Sequence, residues 1–115
     1  LTSIINVFRR GSVTSIYNSL ETLLEKSADL TSFTEKAGAL LSHELSASVA
    51  FCEIFGKRWS FLTGEGLFSA GTSRRETFEA KGRLFGLLAY PDPGDSLPWE
   101  EIKPLLIRGF TSFLL

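Results

Sequence analysis

Few residues in this sequence carry side chains suited to chemistry at neutral pH. There is one histidine, His43, and one cysteine, Cys52. A lone cysteine excludes an internal disulfide and any multi-cysteine metal site. A lone histidine excludes a His-rich metal centre and removes most forms of a Ser–His–Asp triad. No paired carboxylates, nucleophile–base arrangement or metal-ligand spacing is found. The chain is therefore read as non-enzymatic, with no metal and no cofactor.

Each remaining polar feature has a plain reading beside a chemical one. His43-Glu44 matches the dipeptide of a histidine-kinase acceptor. That role needs an exposed bundle helix and a partner ATP domain, so a histidine at a helix end is the reading adopted. Gly64-Glu65-Gly66 with Gly71 lacks the Gly-Lys-Ser/Thr ending of a phosphate loop and reads as a connection. Arg74-Arg75 could hold an anion or form a wet rim. Cys52 falls in an apolar run and reads as a small core residue. Glu53 is the most informative polar residue. It shares a strand face with Val49, Phe51 and Phe55, where a carboxylate must meet a cation, a donor or water. Either that face opens into a wet pocket or the strand end is exposed.

The elements that would position these residues follow from composition and periodicity. The chain has 115 residues, with 43% hydrophobic and 22% charged positions, enough for one packed core in a single domain 1–115. Twelve Lys and Arg against thirteen Asp and Glu give a net charge of −1, which argues against nucleic acid or an anionic membrane as partner. No apolar run reaches the ~18 residues of a membrane span. Arg9-Arg10 is not followed by a signal-peptide core. A cytoplasmic location is expected. Leu1 and the apolar ending at Leu115 read as cuts, so a domain of a longer protein is expected.

Residues 1–30 read as an N-terminal helical segment. Ile4, Ile5 and Phe8 lead to Gly11, and Ile16, Leu20, Leu23 and Leu24 form the stripe of a helix over 14–26. Ser32 and Glu35 fit a capping box opening a helix over about 32–45, with Phe33, Ala37, Leu40, Leu41 and Leu45 inward. The period then changes to two. Strands are predicted over 48–55 and 58–62, joined at Gly56-Lys57, with Trp59 and Phe61 on one face. A glycine-rich loop occupies 63–75. A second hairpin follows, 76–80 and 83–90, turning at Lys81-Gly82. Gly86 inside its return strand predicts the close approach of a backbone or a bulky side chain. Ser96 is expected to cap a closing helix, with Pro98 in its first turn and a kink or restart where Pro104 removes a bond. The sum is an α+β domain, an antiparallel sheet flanked by N-terminal and C-terminal helices, with the helices on one face and the loop over the other.

This order resembles a GAF domain. The resemblance rests on the helix at Phe33–Leu45 leading into the apolar strand Ser48–Phe55, on Gly86 within Arg-Leu-Phe-Gly-Leu-Leu-Ala-Tyr, and on the turn at 91–96 before the closing helix. It covers most of the chain from about residue 14 onward. The PAS domain is the alternative, but it begins with its sheet, and here helices come first. The interval between the two hairpins is shorter than in a full-size GAF domain. Cys52 lies in the first strand, not in the interval where bilin-binding members carry their cysteine. The Asn-Lys-Phe-Asp-Glu type motif of the cyclic-nucleotide members is missing.

The resemblance implies a regulatory or sensory module of a signal-transduction protein, such as a two-component system. It would carry an output domain on the same chain and pass a small-ligand or redox signal through its terminal helices. Phe51, Glu53, Phe61, Arg75 and Phe78 form the candidate ligand-binding set. The short middle favours the alternative, a ligand-free dimerisation or docking module. The closing helix is apolar over more than one face, so a parallel homodimer is expected through Ile16, Leu20, Leu23, Phe110 and Phe113.

Overall fold

The structure, a computed structural model, describes residues 16–64 and 73–114. The helical reading of Ile4, Ile5, Phe8 and Gly11 lies outside the described residues, as do positions 65–72 of the glycine-rich loop and Leu115.

A helix, α1, covers 16–26. Helix α2 spans Leu30–Leu45, followed by strands β1 at Ser48–Phe55 and β2 at Arg58–Thr63. Strands β3 at Arg74–Ala80 and β4 at Arg83–Tyr90 form the second hairpin. A short 3-10 turn at Gly94–Ser96 precedes helix α3 at Trp99–Phe113. The architecture is α+β, with one antiparallel four-stranded sheet in the order β2-β1-β4-β3.

Local chemistry explains most of the boundaries. Asp29, in extended backbone, accepts the Ser32 N–H at 2.7 Å and is the N-cap of α2. The cap thus falls three residues before the expected Ser32, which lies inside the first turn. At the other end Ser46 adopts a left-handed conformation, and its N–H reaches the Ser42 carbonyl. The hairpin β3–β4 turns on Lys81 and Gly82, both with positive φ, as a type I′ turn requires. Strand β3 begins at Arg74, two residues before the predicted start.

The closing helix starts at Trp99, after Pro98, and Ser96 belongs to the 3-10 turn instead of capping the helix. It also runs through Pro104 without a restart. Glu100 and Pro104 are both exposed, so the carbonyl freed by the missing N–H faces the solvated side.

Strand alternation sends the two faces of the sheet to different neighbours. Phe51, Phe78, Phe85 and Leu87 point toward the helices and join one core with Ile16, Leu20, Phe33, Leu41, Ile102, Leu106 and Phe110. Phe110 is the hub. Its ring lies 4.7 Å from Phe85, 4.9 Å from Phe78 and 5.9 Å from Phe51, centroid to centroid. The contacts with Phe85 and Phe78 are edge-on, a geometry that adds about 0.5–1.5 kcal/mol beyond area burial. Thr34 is fully buried, and its hydroxyl donates to the Leu30 carbonyl at 2.9 Å.

The stripe assigned to a homodimer is used inside the chain. Ile16, Leu20 and Phe110 are buried in this core, and Leu23 and Phe113 pack against it. The expectation counted only the sheet as cover for α3. Phe33 of α2 also lies against it, 5.7 Å from Phe113, ring centre to ring centre. The described exposed large apolar side chains sit elsewhere: Tyr17, Phe55, Phe61, Leu62, Leu84 and Tyr90.

Candidate functional site

Glu53 faces the helices near the end of β1 and is 7% exposed. Strand β1 pairs Glu53 with Phe85, so Arg83 follows two residues away on the same face of β4. The Arg83 guanidinium donates Nε–H to one Glu53 oxygen at 2.7 Å and Nη2–H to the other at 2.6 Å. This is the bidentate fork that suits arginine and carboxylate. Those hydrogen bonds hold the Glu53 carboxyl below its ordinary range, against the upward push of burial. The same bonds raise the Arg83 pKa. Arg83 also lies 5.5 Å from the Phe85 ring centre. Every Glu53 oxygen therefore has a partner, and the buried carboxylate is explained by structure.

The opposite face of the sheet carries a second group of residues. Ala50, Cys52 and Leu88 form a small buried cluster, and Trp59 packs against it. The Trp59 ring crosses from β2 to Gly86 in β4, where a Cβ would fall inside the indole. This is the bulky side chain that a strand glycine predicts. Arg75 approaches from β3, its guanidinium carbon 5.4 Å from the Trp59 ring centre. Arg75 is exposed and has no carboxylate partner among the described residues.

Under this cover Cys52 is fully buried. Burial pushes its thiol up to about 11, with a smaller opposing pull from the Arg75 charge. A thiol so raised stays protonated near neutrality and is a poor nucleophile or metal ligand. No group of His, Cys, Asp and Glu suited to a metal occurs among the described residues.

A third feature is an open cleft of about 420 Å³ between β3 and the start of α3. Arg74, Glu76, Gly94, Trp99 and Glu101 line it. Its cation is already engaged. Arg74 Nε–H donates to Glu76 at 2.8 Å, and its Nη1–H reaches the Gly94 carbonyl at 3.3 Å. These bonds tie the 3-10 turn to β3.

The five candidate ligand residues are not brought together. Phe51, Glu53 and Phe78 face the helices, whereas Phe61 and Arg75 lie on the other face. Strand parity separates them: Phe61 pairs with Cys52, Arg75 with Leu88, and Phe51 with Leu87. Phe51 and Phe78 are core rings. Sequence reasoning left Arg83 and Trp59 out of the candidate set. Arg83 is placed diagonally from Glu53 by the β1–β4 pairing, which joins strands of different hairpins and leaves no signal in the linear pattern. Trp59 was accessible from Gly86, once β1 lay between their strands.

His43 is exposed in the last turn of α2, as a helix-end histidine should be. No described helix is long and apolar enough to cross a membrane. No protein family, no curated protein and no solved structure matches the chain.

Proposed function

We propose that this chain is a ligand-free docking or dimerisation module of a regulatory protein, built along GAF-like lines. One observation carries the reading: side chains of the chain itself occupy both faces of the sheet where a ligand would be enclosed. On the helix side Phe33, Phe51, Phe85 and Phe110 are fully buried in one core. On the other side the Trp59 indole fills the space above Gly86. An enclosed site needs a concavity of several hundred Å³ lined by apolar groups. The described cleft of that size is open, and its arginine is already bonded. The function is then carried by contact between proteins, in a cytoplasmic signalling chain with its output domain on the same polypeptide.

A second reading keeps the sensor role. Arg75 is exposed above the Trp59 ring without an ion-pair partner among the described residues. A planar anion could stack on the indole and pair with the guanidinium.

Native mass spectrometry of the purified chain and thermal melts against a panel of planar anions decide between the two. The docking reading expects no retained small molecule and no rise in melting temperature. A retained molecule, or a saturable rise abolished by Arg75→Ala, overturns it in favour of the sensor.

A further inference from the structure

We infer that two copies of this chain join edge to edge through β3, antiparallel about a two-fold axis at Thr77, giving one continuous sheet. The inference rests on the docking reading and specifies its surface. Among the described residues strand β3 is an edge of the sheet. An edge presents unpaired backbone groups that another strand can take up.

The turn fixes which groups these are. Ala80 and Arg83 close the type I′ hairpin, so the Ala80 backbone faces β4. Direction alternates along a strand, so Glu76 and Phe78 also face β4. The N–H and C=O groups of Arg75, Thr77 and Glu79 point off the sheet. Their side chains share the face away from the helices, and all three residues are exposed.

Charge then selects the register. With the axis at Thr77, Arg75 stands opposite Glu79 of the partner subunit, and Glu79 opposite Arg75 of the partner subunit. Thr77 meets its own copy. On the other face Glu76 meets Phe78, and Arg74 meets Ala80. No like charges oppose one another. Each neighbouring register fails this test. An axis at Arg75 opposes two arginines, and an axis at Glu76 or Glu79 opposes two glutamates. An axis at Phe78 sets Arg75 against Lys81. Opposite charges across a strand pair are favourable, like charges unfavourable, and a Thr–Thr pair is favourable. Neither Arg75 nor Glu79 makes an ion pair among the described residues; Arg75 lies over the Trp59 ring and would turn from it toward the edge to meet Glu79 of the partner subunit.

The other edge is less suited. The β1–β2 ladder shifts register between Phe51 and Cys52, a bulge that bends β2. The β3–β4 ladder runs unbroken from Arg74 to Ala80.

The test is sedimentation equilibrium of the full chain from micromolar to millimolar concentration, with circular dichroism confirming the fold of each variant. The wild type should dimerise. Glu79→Arg should weaken association roughly tenfold or more, because both charge pairs become repulsive. The double variant Arg75→Glu with Glu79→Arg should restore it. Thr77→Pro should fold as a monomer, since the Thr77 N–H lies outside the chain's own ladder. A monomeric wild type would overturn the interface. So would a dimer indifferent to Glu79→Arg and Thr77→Pro, or one not rescued by the double reversal. The ligand measurements above judge the docking reading separately.

Discussion

The Trp59 indole stands where a side chain on Gly86 would have to be. The two residues belong to strands separated by β1, so the ring spans the sheet's surface and seals Cys52 beneath it. Gly86→Ala should therefore displace the ring. Trp59 is only partly buried and can swing outward, so the cost is lost packing, about 1–2 kcal/mol. The sensitive readout is Cys52. Its thiol should react slowly with Ellman's reagent in the wild type and at least tenfold faster in Gly86→Ala or Trp59→Ala. Equal rates in all three would show that the indole is not the cover.

Glu53→Gln removes the charge from the bidentate pair with Arg83. The arginine side chain is 46% exposed, so water partly replaces its lost partner. A cost of about 1–2 kcal/mol is expected at neutral pH. The pH dependence has a definite sign. The folded-state pKa of Glu53 lies below its ordinary value of 4.5. The stabilisation is thus complete above that ordinary value and is lost as pH falls through the lower, folded value. Urea melts should show the wild type's advantage over Glu53→Gln shrinking below that range. An advantage that stays constant into strong acid would contradict the assignment.

Gly109→Ala tests the seat of α3 on α2. The added Cβ would stand 2.7 Å from the ring of Phe33, which is fully buried. Alanine favours the helix by about 1 kcal/mol, but overpacking costs about 1–3 kcal/mol. Destabilisation should win. Phe33→Leu should relieve it, giving a double variant less destabilised than the sum of the singles. Simple additivity would show that the two residues do not touch.

Phe110→Ala should cost about 3–5 kcal/mol, and Leu41→Ala about 2–5 kcal/mol, as for other buried truncations. Both losses should be independent of protein concentration, because these side chains serve the chain's own core. A loss that disappears in concentrated samples would return Phe110 to an interface between copies.

The sequence made the strands more legible than the site. Alternation from Val49 to Phe55, two short turns and the run Arg83–Tyr90 placed β1 and β4 at their observed limits. Helix starts were harder, because Asp29, Ser32 and Ser96 are all capable caps. Only the backbone conformation shows that Asp29 serves and Ser96 does not. The surplus of apolar residues on α3 was real, but its destination was not readable. A helix pattern shows which faces avoid water and not which neighbour covers them. Glu53 was rightly singled out as needing a partner. Its cation came from a long-range strand pairing that a linear pattern does not contain.

The strand order β2-β1-β4-β3 also bears on how the chain assembles. Each hairpin closes over a turn of two residues, Gly56-Lys57 or Lys81-Gly82, and can form locally. The seam between β1 and β4 joins residues far apart in sequence, such as Val49 with Ala89 and Phe51 with Leu87. Closing that long loop carries the larger entropy cost. The expected rate-limiting step is therefore the closing of the seam between the two hairpins. Refolding should slow most when Phe51 or Leu87 is truncated and little when Gly56-Lys57 is altered.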